Sequence, residues 1–245
     1  MTEIVFYIMA IDIGGTNIKA TLLDENGGFL TEPVAHPTPS KAKPEVVLEA
    51  IAEMIAPLGA FSHISIGFPG AIRDGTILTA PNLSTNLWRG TDLATLATAR
   101  FNRPARIIND ATMHGLGVIS GKGVELALTL GTGMGFALFR NNIPAPQIEL
   151  GRHPAGTAPS YDDFVGDSAL QRLGLTAWKE NVSITITQCA ALVNFDHLYL
   201  GGGNARHFST TELPNNAQLV HNASGLKGGA KLWSPHMDNF FENSV

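Results

Sequence analysis

Ile8-Met9-Ala10-Ile11-Asp12-Ile13-Gly14-Gly15-Thr16-Asn17-Ile18-Lys19-Ala20-Thr21-Leu22-Leu23 is an apolar run, a tight Asp-x-Gly-Gly-Thr corner and a second apolar run. Two strands joined by such a corner form a hairpin whose backbone N–H groups can point outward, because glycine lets a bulky anion approach without a Cβ in the way. Phosphate is the anion that fits. Asp12 leaves the first strand beside it, and a carboxylate next to phosphate makes sense with Mg²⁺ between them. For this stretch on its own, an ordinary hairpin with a polar turn is the alternative.

The design returns half a chain later. Leu126-Ala127-Leu128-Thr129-Leu130-Gly131-Thr132-Gly133-Met134-Gly135-Phe136-Ala137-Leu138-Phe139 is again strand, Gly-Thr-Gly corner, strand. Two such hairpins predict an α/β protein of two related lobes facing each other across a cleft. Residues 1–110 form the first expected lobe and 111–245 the second, with the C-terminal tail returning to the first. The second corner is neither a Walker loop nor a dinucleotide fingerprint: it lacks the Gly-Lys-Ser/Thr ending, and a strand pattern follows where those motifs need a helix.

Composition agrees with a two-lobed globule. A chain of 245 residues, 44% hydrophobic and 15% charged, has material for a core at the size where one core begins to split. A formal charge of -5 and the lack of any Lys/Arg run argue against nucleic acid or an anionic membrane as partner. No apolar segment reaches the length of a membrane span, and Ile4 to Ile13 reads as a strand, so a cytoplasmic location is expected. The single cysteine, Cys189, fits a reducing compartment and excludes both a disulfide framework and a multi-cysteine zinc site.

Between the hairpins, Pro44 opens a helix with Val47, Ile51, Met54, Ile55 and Leu58 at helical spacing. Ile64 to Phe68 is a short strand, Ala80 to Gly90 an irregular loop closed by Trp88, and Leu93 to Phe101 a helix ending near Asn102. Ala105 to Ile108 is a buried strand with Asn109-Asp110 at its C-terminal end, before a helix predicted from Ala111 to about Ser120. Ligands gather beyond the carboxyl ends of strands in open α/β sheets, although an isolated Asp110 would more simply cap the helix. Farther on, Pro144 to Pro159 reads as a long loop, Tyr161 to Leu173 and Trp178 to Phe195 as helices, His197 to Leu200 as a strand and Gly201-Gly202-Gly203 as a third glycine corner. Ser224 to Trp233 opens a helix through small residues. The polar tail from Ser234 is expected to be loosely held, and scattered histidines such as His36, His63 and His221 to be solvated.

Seven segments in this order resemble the ROK sugar kinases of the actin and hexokinase superfamily, and within them a short branch that includes polyphosphate glucokinases. They are Asp12-Ile13-Gly14-Gly15-Thr16, Gly67-Phe68-Pro69-Gly70, Pro81-Asn82-Leu83, Asn109-Asp110-Ala111, Thr129-Leu130-Gly131-Thr132-Gly133, Glu149-Leu150-Gly151 and Gly201-Gly202-Gly203. The resemblance implies a two-lobed, actin-like (ribonuclease H-like) fold. It also implies a kinase that moves a terminal phosphoryl group to a hexose hydroxyl. Asn82, Asn109, Asp110 and Glu149 would hold the sugar, with Asp110 as catalytic base. Asp12, Gly14, Gly15, Thr16, Asn17, Lys19, Gly131, Thr132 and Gly133 would surround the donor phosphates, with Mg²⁺ held by Asp12 through water, and Gly201, Gly202 and Gly203 would lie by the adenosine. Homodimers are common in the family, but no stretch announces an interface.

The chain departs from the family twice. Arg152 follows Glu149-Leu150-Gly151 where the family usually has histidine, with His153 one place later, so both join the candidate sugar wall. A guanidinium there would reach a hydroxyl or pair with Glu149. The family's cysteine-rich zinc loop is missing, so no zinc is expected. For the donor, Gly201 to Gly203 and Gly225 to Gly229 suggest flat walls for an adenine ring, and only 16 basic residues stand against 21 acids. ATP with Mg²⁺ is therefore the expected donor and polyphosphate the alternative, which the second hairpin resembles most. A degenerate sugar-binding protein without kinase activity is a third option. A repressor is not expected, since the first hairpin starts few residues from Met1, and an actin-like switch ATPase would leave Asn109, Asp110 and Glu149 without a role.

Overall fold

The computed structural model describes residues 6–221 and 223–242. In chain order the elements are β1 (Ile8–Ile13), β2 (Asn17–Leu23), β3 (Val34–Pro37), α1 (Pro44–Ile55), β4 (His63–Phe68), β5 (Ile72–Arg73), β6 (Thr76–Ile77), α2 (Thr85–Trp88), α3 (Leu93–Phe101), β7 (Ala105–Asn109) and α4 (Asp110–Leu116). They continue as β8 (Val124–Leu130), β9 (Met134–Arg140), β10 (Ile143–Pro144), α5 (Tyr161–Val165), α6 (Asp167–Leu173), α7 (Leu175–Val193), β11 (His197–Gly201), β12 (Ala217–Leu219), α8 (Ala223–Leu226), α9 (Gly228–Lys231) and α10 (Pro235–Glu242). Two compact units result: the described residues up to Val118 and from Ala223 onward, and those from Ile119 up to Asn222.

The units share one plan. The first sheet has the order β3-β2-β1-β4-β7 and the second β10-β9-β8-β11-β12. In each, the first strand is central, antiparallel neighbours lie on one side and parallel strands on the other. A central strand covered on both faces must be apolar throughout rather than alternating. Accordingly Ile8, Met9, Ala10, Ile11 and Ile13 of β1 are fully buried, and Asp12 is its one polar residue.

Local signals explain most boundaries. α1 begins with Pro44 at its first turn and buries Val47, Leu48, Ile51 and Ile55. α3 is capped by Asp92, whose side chain accepts from the Thr95 amide at 2.9 Å, and ends on Asn102 in the left-handed region. In the second unit α7 buries Trp178, Val182, Ile186 and Cys189. Glu125 is fully buried there, and accepts from the amides of Ser120, Gly121 and Lys122 and the hydroxyls of Ser120 and Tyr199.

Four expectations are corrected. The helix after Asn109 stops at Leu116, short of Ser120. The Ala80 to Gly90 loop contains α2, which buries Trp88 with its indole N–H on the Ala42 carbonyl at 3.2 Å. The span from Tyr161 to Leu173 is two helices, because Gly166 is extended and packs where a Cβ would meet the Asp162 and Thr132 carbonyl oxygens at 2.5 Å. The tail from Ser234 is held: α10 buries Met237, and Arg106 pairs with Asp238 at 2.8 Å while its guanidinium lies over the Trp233 and Phe241 rings. Ile4 and residues 243–245 lie outside the described residues.

Candidate active site

In the first unit, the expected residues gather at the carboxyl ends of parallel strands β1, β4 and β7. Asp12 stands in register with Lys19 on β2 and with Gly67 on β4. A Cβ on Gly67 would meet the Asp110 Cα at 3.3 Å, so that glycine lets the first turn of α4 settle beside the strand that carries Asp12 as neighbour. The β1–β2 corner is closed by the Gly14 amide on the Asn17 carbonyl at 2.9 Å. It is braced from outside by Thr38, whose hydroxyl donates to the Gly14 carbonyl at 2.7 Å. Gly15, Thr16 and Asn17 are exposed at its tip. Asn82 lies against this corner: a Cβ on Gly15 would meet the Asn82 Cβ at 2.8 Å.

Asn109, and not Asp110, caps α4. Its side-chain oxygen accepts from the Thr112 amide at 3.1 Å, and its nitrogen donates to Asp110 Oδ1 at 3.0 Å and to the Gly70 carbonyl at 3.3 Å. The Ala111 amide also donates to Asp110 Oδ1, at 2.8 Å. One carboxylate oxygen is thus held by two donors, which fixes the group at the helix N-terminus. Loss of solvation holds the Asp12 pKa above its ordinary value, against the opposing charge of Lys19. His114, four residues after Asp110, is a titratable residue in this part of the unit that sequence reasoning missed. Burial, and then the Lys19 charge, push its pKa down to about 4, and its Nε2 is buried without a hydrogen-bond partner. Its spacing from Asp110 on one helix face was the signal that could have found it.

In the second unit, the Gly131 amide bonds the Gly133 carbonyl at 3.0 Å, closing the β8–β9 corner. Glu149 accepts from Gln147 Nε2 at 2.6 Å, and desolvation is the main cause of its raised pKa. Arg152 does not make its ion pair with Glu149: its Nη1 lies 3.7 Å from Asp162 Oδ2. His153 is exposed, with Nδ1 2.8 Å from the Pro154 carbonyl. In the third corner, Gly202 has φ 87° and packs on the backbone of Leu130, immediately before Gly131. Gly225, Gly228 and Gly229, expected to line an adenine pocket, instead serve packing inside the first unit. Gly225 lies on the His114 ring, Gly228 on the Met113 carbonyl, and a Cβ on Gly229 would meet Ala10 Cβ at 2.8 Å.

Among the described residues no group of three His, Cys, Asp or Glu is placed to hold a metal ion, and no helix is long and apolar enough to cross a membrane. His63 is half-buried rather than free in solvent: its ring centroid lies 4.1 Å from that of Phe6 and 4.3 Å from that of Trp233.

Comparison with known proteins meets this geometry from outside. A polyphosphate glucokinase of Mycobacterium tuberculosis (strain ATCC 25618 / H37Rv) is 31% identical over 236 residues, covering 90% of this chain and 88% of the relative. The crystal structure of an inorganic polyphosphate/ATP-glucomannokinase from Arthrobacter sp. strain KM superposes with a TM-score of 0.81 at 31% identity, over 92% of this chain and 97% of that one. A ROK family glucokinase from Streptomyces griseus, solved with glucose and AMPPNP, shares the fold at a TM-score of 0.76 and 18% identity, over 92% of this chain and 98% of that one. The ROK family model matches residues 8–147, from the first strand through both glycine hairpins to the approach of Glu149. This α/β chain therefore belongs to the ROK family.

Proposed function

We propose that the protein is a sugar kinase that transfers a terminal phosphoryl group to a hexose hydroxyl. The observation that carries this is the placement of Asp110: a carboxylate held by Asn109 and the Ala111 amide, beside the strand that neighbours Asp12. Asp110 would accept the hydroxyl proton, while Asn82, Asn109 and Glu149 orient the sugar. Phosphoryl transfer passes through a loose transition state, so positioning and charge neutralisation supply most of the rate, and a carboxylate suffices as base. The amides of the two glycine corners that do not close the corners themselves would serve the donor phosphates.

Asp12 fits a role toward Mg²⁺. It is a desolvated carboxylate at a strand end, only partly compensated by Lys19, and Mg²⁺ commonly uses one or two carboxylates with substrate phosphates and retained waters. When bound, the ion would neutralise charge on the donor. The zinc-free reading rests on the single, buried Cys189. Composition and the lone cysteine support a cytoplasmic enzyme.

ATP is the donor proposed first, with Gly201 to Gly203 on the adenosine side. A second reading, polyphosphate as preferred donor, gains from two observations: the two relatives at 31% identity carry polyphosphate in their names, one of them together with ATP, and Gly225, Gly228 and Gly229 are engaged in packing rather than open to a base. Rates with ATP and with polyphosphate, measured against a panel of hexoses at several salt concentrations, separate them. A polyphosphate preference that falls steeply with salt selects the second reading. Absence of transfer to every hexose with either donor overturns the kinase.

A further inference from the structure

Asp162 belongs to none of the motifs, yet three of them meet on it or on the residues just after it. Its Oδ1 accepts from the Met134 amide at 2.8 Å, at the exit of the Gly131-Thr132-Gly133 corner. A Cβ on Gly133 would collide with the same carboxylate, and one on Gly151 would meet Oδ1 at 2.7 Å and the Met134 carbonyl at 2.5 Å. Two motif glycines are thus glycines because Asp162 occupies the space a side chain would need. Its Oδ2 faces Arg152 at 3.7 Å. At the far end of the same short stretch, Gly166 packs on Thr132 and Gly133. The Asp167 amide donates to the Gly131 carbonyl at 2.9 Å, and Asp167 Oδ1 accepts from Asn204 Nδ2 at 2.6 Å, just past the third corner.

We infer that Asp162 is a positioning residue that ties the phosphate corner at Gly131–Met134 to the turn carrying Glu149 and Arg152, so that the donor-side and sugar-side segments of this unit move as one piece. The inference rests on the sugar-kinase reading for the substrates it names, but the strut itself does not. Its two arms differ in strength. The bond from Met134 to a carboxylate is charge-assisted and partly shielded, and so is the stronger arm. The Arg152 pair is long and half open to solvent, with side-chain exposures of 61% and 28%, so its worth is small. Arg152, where the family usually has histidine, is therefore turned toward the strut rather than toward Glu149.

The test uses the full chain with Asp162→Ala, which removes both arms, and Asp162→Asn, which keeps an acceptor for Met134 and drops the charge facing Arg152. Amide hydrogen exchange at Met134 should be about tenfold to a hundredfold faster in the alanine variant and nearly unchanged in the asparagine variant. The alanine variant should raise KM for both sugar and donor. Asp162→Asn and Arg152→Gln should each raise the sugar KM alone, by about two- to fivefold, and combining them should add nothing further. Met134 exchange unchanged in Asp162→Ala, a rise in only one KM there, or multiplying effects in the double variant would overturn the strut. Should Asp162→Ala fail to fold, the asparagine and Arg152→Gln cycle decides by the same criterion. A wild type that transfers no phosphoryl group sinks the kinase reading instead, and Met134 exchange in Asp162→Ala compared with Asp162→Asn still reports on the strut.

Discussion

At the scale of single residues, the chemistry is set by a few groups whose surroundings work against their charge. His114 is the clearest, with its pKa pushed down to about 4 by burial and the Lys19 charge. The folded protein keeps it neutral while the unfolded chain protonates near pH 6.5, so the unfolded state binds more protons between those values. Stability from this site is therefore present above about pH 6.5 and lost as pH falls toward 4, amounting to about 2 kcal/mol at pH 5. His114→Gln should remove that slope: the wild-type urea midpoint should fall relative to the variant's as pH drops from 7 to 5, and parallel curves would show His114 to be solvated. Glu149, desolvated and held by Gln147, should serve the sugar. Glu149→Ala is expected to raise the sugar KM at least about tenfold with little change in the donor KM; a shift in the donor KM instead would move the turn to the other substrate. Most of the candidate residues stand out in the sequence because glycine spacing and an Asn-Asp pair at a strand end carry a local signal. Asp162 does not, because its partners lie on elements whose packing no short spacing reveals.

At the scale of elements, the sequence resolves what local chemistry dictates and loses what distant partners supply. Pro44 and Asn102 mark helix ends by their own preferences, and the structure follows them. The tail after Ser234 read as loose since it is short and polar. Its anchor, Arg106, lies on β7, 132 positions from Asp238, and Trp233 reaches back to Ser65, which itself donates to the Gly229 carbonyl at 2.6 Å. α8 and α9 can approach β1, β4 and α4 that closely only through Gly225, Gly228 and Gly229. Met237 of α10 is fully buried. Met237→Ala should cost about 2–4 kcal/mol by equilibrium urea unfolding, and a loss under about 0.5 kcal/mol, the range of an ordinary surface change, would show α10 to be peripheral.

For the whole molecule, two glycine hairpins half a chain apart announced two units of one plan, and both sheets have the same order about a central apolar strand. That much was legible because the corner and its flanking strands are contiguous. The donor was not, since a run of small residues reads alike whether it faces a ligand or another helix, and Gly225 to Gly229 face the interior of their own unit. The central claim is that Asp110 takes the proton from a sugar hydroxyl. Hexose phosphate formation by wild type and by Asp110→Asn, with sugar binding followed alongside by calorimetry, tests it most directly. The expected result is turnover lower by about 10²- to 10⁴-fold with sugar affinity within a few-fold of wild type. Turnover of Asp110→Asn close to that of wild type would contradict it.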